Sequence, residues 1–138
     1  MRKILINVMV ICLSVLFTFS LTGCSNTENK VSVDKAFEKT IEGQLNNITN
    51  PKDSRVLLSS NPYDHIKDGD SNEDYKYIVS QGEKSLNYML NKFANSNTNG
   101  LEEYIMAIAC SEILKENIET KKWETGRGWY DNHIKTNK

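Results

Sequence analysis

Residues 101–114, LEEYIMAIACSEIL, decide the fold. Between Tyr104 and Cys110 this stretch is apolar nearly all round, and a helix without a polar face has to be covered on several sides. Leu101 to Leu114 is therefore expected to be a central helix, with Ile105, Ile108, Ala109 and Ile113 at the middle of the domain. Its start is marked by Asn99 and, three residues on, Glu102, the spacing of a capping box.

Working upstream, Leu86, Met89, Leu90 and Phe93 recur at helical spacing and predict a helix over 83–94, followed by an Asn- and Ser-rich loop to Gly100. Gly82 suits the left-handed end of a preceding helix. That helix is expected to run from a cap at Asn72 to Gln81, with Tyr75, Ile78 and Val79 inward, after a polar turn at 68–72. Asn61-Pro62 reads as the start of a brief helix ending by Lys67, since proline at the first helical position gives up an N–H that has no partner there. Further back, Phe37, Ile41, Leu45 and Ile48 form a narrow stripe on a helix over 33–47, stopped by Asn50-Pro51. Gly43 weakens that helix, so loose packing or partial disorder is expected there; the structure of Val56-Leu57-Leu58 is left open. Downstream, a last helix over 125–135 carries Trp129, Tyr130 and Ile134 back to the centre. The expectation is an all-α fold, a small bundle of antiparallel helices around 101–114.

At Ile78-Val79, Gly82, Leu86, Met89-Leu90 and Phe93, with the 101–114 helix after them, the chain resembles a degenerate HEAT-type repeat over about residues 73–114. The resemblance implies an antiparallel hairpin. It does not imply a solenoid, which needs several repeats. Residues 61–135 are also similar to extracytoplasmic helical tails of lipoproteins and sensor-type membrane peptidases of Gram-positive bacteria, but no peptidase motif is present, so no catalytic residue carries over.

The first residues stand apart. Arg2 and Lys3 precede a run from Ile4 to Leu21 with almost no strongly polar side chain, long enough to enter a membrane. Leu21-Thr22-Gly23-Cys24 then resembles the lipobox of bacterial lipoprotein precursors in all four positions. The resemblance implies that a signal peptidase cuts between Gly23 and Cys24 and that the Cys24 thiol carries a diacylglyceryl group. Two acyl chains suffice physically, because each buried methylene contributes about 0.8 kcal/mol and one chain alone anchors only marginally. The expected organisation is a signal peptide at 1–23, a lipidated cysteine and tether at 24–32, an amphipathic helix and linker at 33–60, and a compact helical domain at 61–138. The expected location is the extracytoplasmic face of the cell membrane, lipid-anchored, in a host that the Asn-, Lys- and Ile-rich composition weakly marks as Gram-positive.

Loss of residues 1–23 removes Arg2 and Lys3 and no acid, shifting the formal charge from −1 to −3. No basic stripe remains to neutralise phosphates, which argues against a nucleic-acid partner. Of the three cysteines, Cys12 leaves with the signal, Cys24 is acylated and Cys110 stands alone, so no internal disulfide is expected and Cys110 reads as a small buried hydrophobe.

Chemistry-bearing motifs are few. Asp68-Gly-Asp70-Ser-Asn72-Glu-Asp74 begins like a calcium loop, but an EF-hand needs glycine at the sixth position and glutamate at the twelfth, where Glu73 and Val79 stand. A solvated acidic turn fits better. His65 and His133 are far apart and lack metal-ligand spacing, so both read as surface imidazoles. No nucleophile elbow, phosphate loop or dinucleotide fingerprint occurs, and Gly126-Arg127-Gly128 is too short to cradle phosphate. Metal, cofactor and small-molecule substrate are therefore not expected. Among the aromatic residues, Trp129 and Tyr104 are expected in the core, while Trp123, beside Lys121 and Lys122, is the candidate partner contact.

Three functions fit these bounds: a tethered interaction module with an envelope protein partner, a sensory role beside a membrane partner, and, as the alternative, a wall- or peptide-directed enzyme. The enzyme would need paired carboxylates or a nucleophile with its base. None appears at recognisable spacing. A solute-binding subunit is improbable, since the chain has residues for one lobe only.

Overall fold

The computed structural model describes residues 26–67, 70–117 and 123–136. Among them lie seven elements, all helices: α1 Asn26–Thr49, α2 Ser54–Leu57, α3 Asp64–Lys67, α4 Asp70–Ser80, α5 Glu83–Asn95, α6 Leu101–Ile113 and α7 Gly126–Thr136. The chain divides into two units, Met1–Lys35 and Ala36–Lys138, and the second holds the core.

Helix α6 is the centre that its composition demands. Every residue from Ile105 to Ser111 is buried, and Ile113 is partly covered. Its neighbours reach it from several sides: α4, α5 and α7 all pack on it. The cap at its start sits one residue later than the sequence suggests. The Gly100 backbone N–H donates to Glu103 Oε2 at 2.7 Å, and Thr98 Oγ1 donates to the other oxygen of the same carboxylate. Glu102 instead points to Lys92 Nζ, 2.6 Å away, and ties α6 to α5.

A short loop joins α5 to α6 and returns the chain as a helical hairpin, the two helices packed on each other and tied near the loop by Lys92 and Glu102. Met89 and Phe93 are buried on its inner face, and Leu86 and Leu90 pack at the edge of the core. Between α4 and α5, Gly82 has φ +56°, the left-handed conformation that favours glycine at a helix end. Helix α4 starts at Asp70, so Asn72 lies inside it and not at the expected cap position; its Nδ2 donates back to the carbonyl of Lys67, the last residue of α3, at 2.9 Å.

Helix α7 enters beside the start of α6 and runs in the same sense. A Cβ at Gly126 would stand 2.2 Å from the Glu103 carbonyl group, while His133 reaches Glu116 just past the other end. Trp129 is buried on Phe93, Tyr130 stacks on the same ring at 5.1 Å, and Ile134, expected inward, is exposed. Arg127 fastens this helix to the last turn of α5 and the loop after it by donating to the Phe93 and Ser96 carbonyls at 2.6 and 2.7 Å.

Helix α1 begins earlier and ends later than its stripe indicates, and its backbone is helical through residues 26–32, which the sequence suggests as a tether. Ile41, Leu45 and Ile48 are fully buried in the same core as Ile105 and Trp129. Residues 36–49 are thus part of the compact body, and the loose packing expected around Gly43 does not occur.

Candidate functional site

Between α1 and α3 the chain makes an excursion over residues 50–60. Pro51 prevents α1 from continuing, and Asp53 then starts the one-turn helix α2, its Oδ1 accepting from the Arg55 backbone N–H at 2.9 Å. The Arg55 guanidinium closes on the same carboxylate, with Nη2 2.9 Å from Oδ2. The side-chain hydrogen bond from Arg55, followed by its backbone N–H, holds the Asp53 carboxyl below its ordinary range. Four residues cannot form a buried stripe. Leu57 and Leu58 consequently stand out at 50% and 84% exposure, and Leu58 is the most exposed large apolar side chain among the described residues.

The two feet of the excursion meet at one side chain. His65, which the sequence suggests as a surface imidazole, is 1% exposed. Its Nδ1 lies 3.1 Å from the Ile48 carbonyl, at the end of α1, and its Nε2 lies 3.3 Å from the Ser59 carbonyl, where the excursion returns. Asp64 reinforces the second foot: Ser59 Oγ donates to its Oδ2 at 2.6 Å and Asn61 Nδ2 to its Oδ1 at 3.1 Å. Asn61 in turn accepts from the Tyr63 backbone N–H at 3.2 Å, the Asx-type turn that makes Asn61-Pro62 an entry to α3. An apolar pair is thus presented on a short arc whose ends are tied by the buried His65 ring and by hydrogen bonds nearer the surface.

The other candidates lie elsewhere. Gly23 and Cys24 fall outside the described residues, as does part of the acidic turn, at 68–69. Trp123, the candidate partner contact, is half-buried, its ring 4.8 Å from that of Tyr104, and both pack on the edge of the core. Tyr104 is therefore peripheral, while Trp129 is central, as expected. Cys110 is fully buried, and burial pushes its thiol far above the usual range, which leaves it without nucleophilic character. His133 is half-buried rather than on the surface. It stacks on Trp129 at 5.1 Å, and its Nδ1 is 4.0 Å from Glu116 Oε1, while Glu116 Oε2 accepts from Trp129 Nε1 at 3.1 Å. That carboxylate secures the indole of a core residue. The backbone turn that brings it there runs through Lys115, held at φ +55°.

Sequence reasoning misses His65 because an isolated histidine carries no periodic signal, and both of its partners are backbone carbonyls, which leave no mark in a sequence. Among the described residues no group of three His, Cys, Asp or Glu side chains could hold a metal ion, and no helix is long and apolar enough to cross a membrane. No family model, curated protein or solved structure matches this chain.

Proposed function

We propose that this chain is a bacterial lipoprotein held by lipid on Cys24 at the extracytoplasmic face of the cell membrane, and that its helical body is a non-catalytic interaction module. The observation that carries the reading is Leu21-Thr22-Gly23-Cys24 at the close of an apolar run that follows Arg2 and Lys3. The exposed Leu57-Leu58 pair supports the second half, because a fixed apolar protrusion on a polar surface suits a complementary pocket. A protein of the envelope is the favoured partner over the lipid surface itself. The arc carries Lys52 and Arg55, the latter paired with Asp53, which falls short of the basic cluster that anionic headgroups attract.

Mass spectrometry of the protein isolated from its own membranes tests the anchor: the first residue should be Cys24, carrying a diacylglyceryl group. Residues 1–23 still attached, or a free thiol at Cys24, would overturn it. A photo-crosslinking residue at position 58 tests the contact, with exposed Asn132 as control. A reproducible adduct to one envelope protein from position 58 alone supports the contact. Equal labelling from both positions, or none, removes it.

A further inference from the structure

We infer that Asn99-Gly100, in the loop between α5 and α6, is a site of self-modification, where the asparagine converts to aspartate or isoaspartate at a rate set by the Glu103 cap and disrupts that cap in doing so. Asparagine followed by glycine occurs once in the chain. Both residues are exposed, so water reaches them. Asparagine is thermolabile because a backbone nitrogen lies within reach of its side-chain amide, and glycine, having no Cβ, is the successor that hinders the approach least.

The reaction needs only the chain and water. The Gly100 nitrogen bonds to Asn99 Cγ and gives up its proton, the bond from Cγ to Nδ2 breaks, and the amide leaves as ammonia. The five-membered succinimide that remains takes up one water molecule. Addition at Cγ gives aspartate; addition at the backbone carbonyl carbon gives isoaspartate, whose main chain runs on through the side-chain carbon.

The fold acts on both reacting groups. The Arg127 backbone N–H donates to Asn99 Oδ1 at 3.4 Å, the oxygen on which negative charge gathers as Cγ is attacked. The nucleophile is held back. Gly100 N–H donates to Glu103 Oε2 at 2.7 Å, and a carboxylate beside that nitrogen opposes the negative charge it takes on when its proton leaves. Thr98 Oγ1 fixes the same carboxylate by its other oxygen. Cap and reaction thus compete for one nitrogen. In the succinimide that nitrogen has no hydrogen, so its bond to Glu103 is lost; isoaspartate then adds a carbon to the main chain and displaces Gly100 from its place in the cap. The change lies in the hairpin loop and not on the arc, so it stands independently of the contact at Leu57-Leu58.

Peptide mass spectrometry of the full chain in detergent micelles, sampled during incubation in warm, mildly alkaline buffer, tests it. Asn99 should show the amide-to-acid mass change, with isoaspartate among the products, while exposed Asn95 and Asn97 of the same stretch, followed by Ser96 and Thr98, stay amides. Glu103→Gln should speed conversion about five-fold, the factor expected for one hydrogen bond. Should that variant fail to fold, Thr98→Ala, which frees the same carboxylate, takes its place and should act in the same direction. Gly100→Ala keeps the cap, since the backbone there is extended and the added Cβ would meet only Glu103 Oε2 at 3.5 Å, and it should slow Asn99 towards the rate of its neighbours. The converted protein, separated by its added negative charge, should unfold at a lower denaturant midpoint. Asn99 converting no faster than Asn95 and Asn97, a rate indifferent to loosening of the Glu103 carboxylate, or an unchanged midpoint after conversion would each overturn the inference.

Discussion

Residues 105–111 and residues 53–58 each carry a short apolar run, yet the first is entirely buried and the second holds the most exposed leucine among the described residues. Hydrophobicity alone does not separate them. What differs is what the neighbouring chain can bring. Helix α6 is long enough to meet α4, α5 and α7, and its residues 105–111 are covered by them. The arc has one turn of helix and two polar feet, so Leu57 is only half covered and Leu58 stands mostly in water. Apolar residues become core only where elements of sufficient length converge on them, and where they do not, they stay in water.

The largest effect that would sharpen this contrast is at Trp129. Truncation to Ala removes a buried indole from beside Phe93 and leaves Glu116 without its Nε1–H donor, so a loss of about 3–5 kcal/mol is expected in urea unfolding. A loss below about 1 kcal/mol would mean that α7 does not seal the core. Next comes Gly126→Ala. Its Cβ would stand 2.2 Å from the Glu103 carbonyl carbon and oxygen and 2.6 Å from the Tyr104 nitrogen, backbone that cannot step aside as a side chain can. A cost of about 1–3 kcal/mol follows from overpacking, read as a lowered unfolding midpoint at unchanged slope.

These two positions also show how much of the molecule was legible. Helices at 83–94, 101–114 and 125–135 announce themselves by apolar spacing, because a helix buries a periodic face and the period survives in the sequence. Trp129 in the core follows from the same logic. Gly126 does not: only the close approach of two backbones explains why a side chain is excluded there. The cap of α6 falls at Gly100 and Glu103 rather than Asn99 and Glu102, since both pairs satisfy the spacing and only three-dimensional placement chooses between them. Of the candidate site, the apolar pair was visible and its exposure was not. The clamp at His65 is written in carbonyl groups that every residue possesses.

Glu103 offers a smaller, pH-dependent effect. Burial alone would raise its carboxyl, but hydrogen bonds from Thr98, from its own backbone N–H and from that of Gly100 outweigh burial and hold it below the ordinary glutamate range. A carboxyl depressed in the folded state stabilises above its unfolded value of about 4.3 and loses that contribution as pH falls through the folded value. Glu103→Gln should therefore cost about 1 kcal/mol at neutral pH, and the difference from the unaltered protein should narrow in acid. Parallel stability curves down to pH 3 would show that the charge of Glu103 is not what caps α6.

The smallest expected effect bears most on function. Leu57→Ser with Leu58→Ser changes side chains already largely in water, so unfolding free energy should move by less than about 0.5 kcal/mol. Partner capture through a crosslinker placed in the same arc, at Ser54, should nonetheless be lost. The separation between these readouts is the point: in α6 a lost side chain registers as lost stability, whereas on the arc it should register only as lost association. A stability loss near that of Trp129→Ala would instead show the two leucines packed under a cover, and would return residues 53–58 to the core.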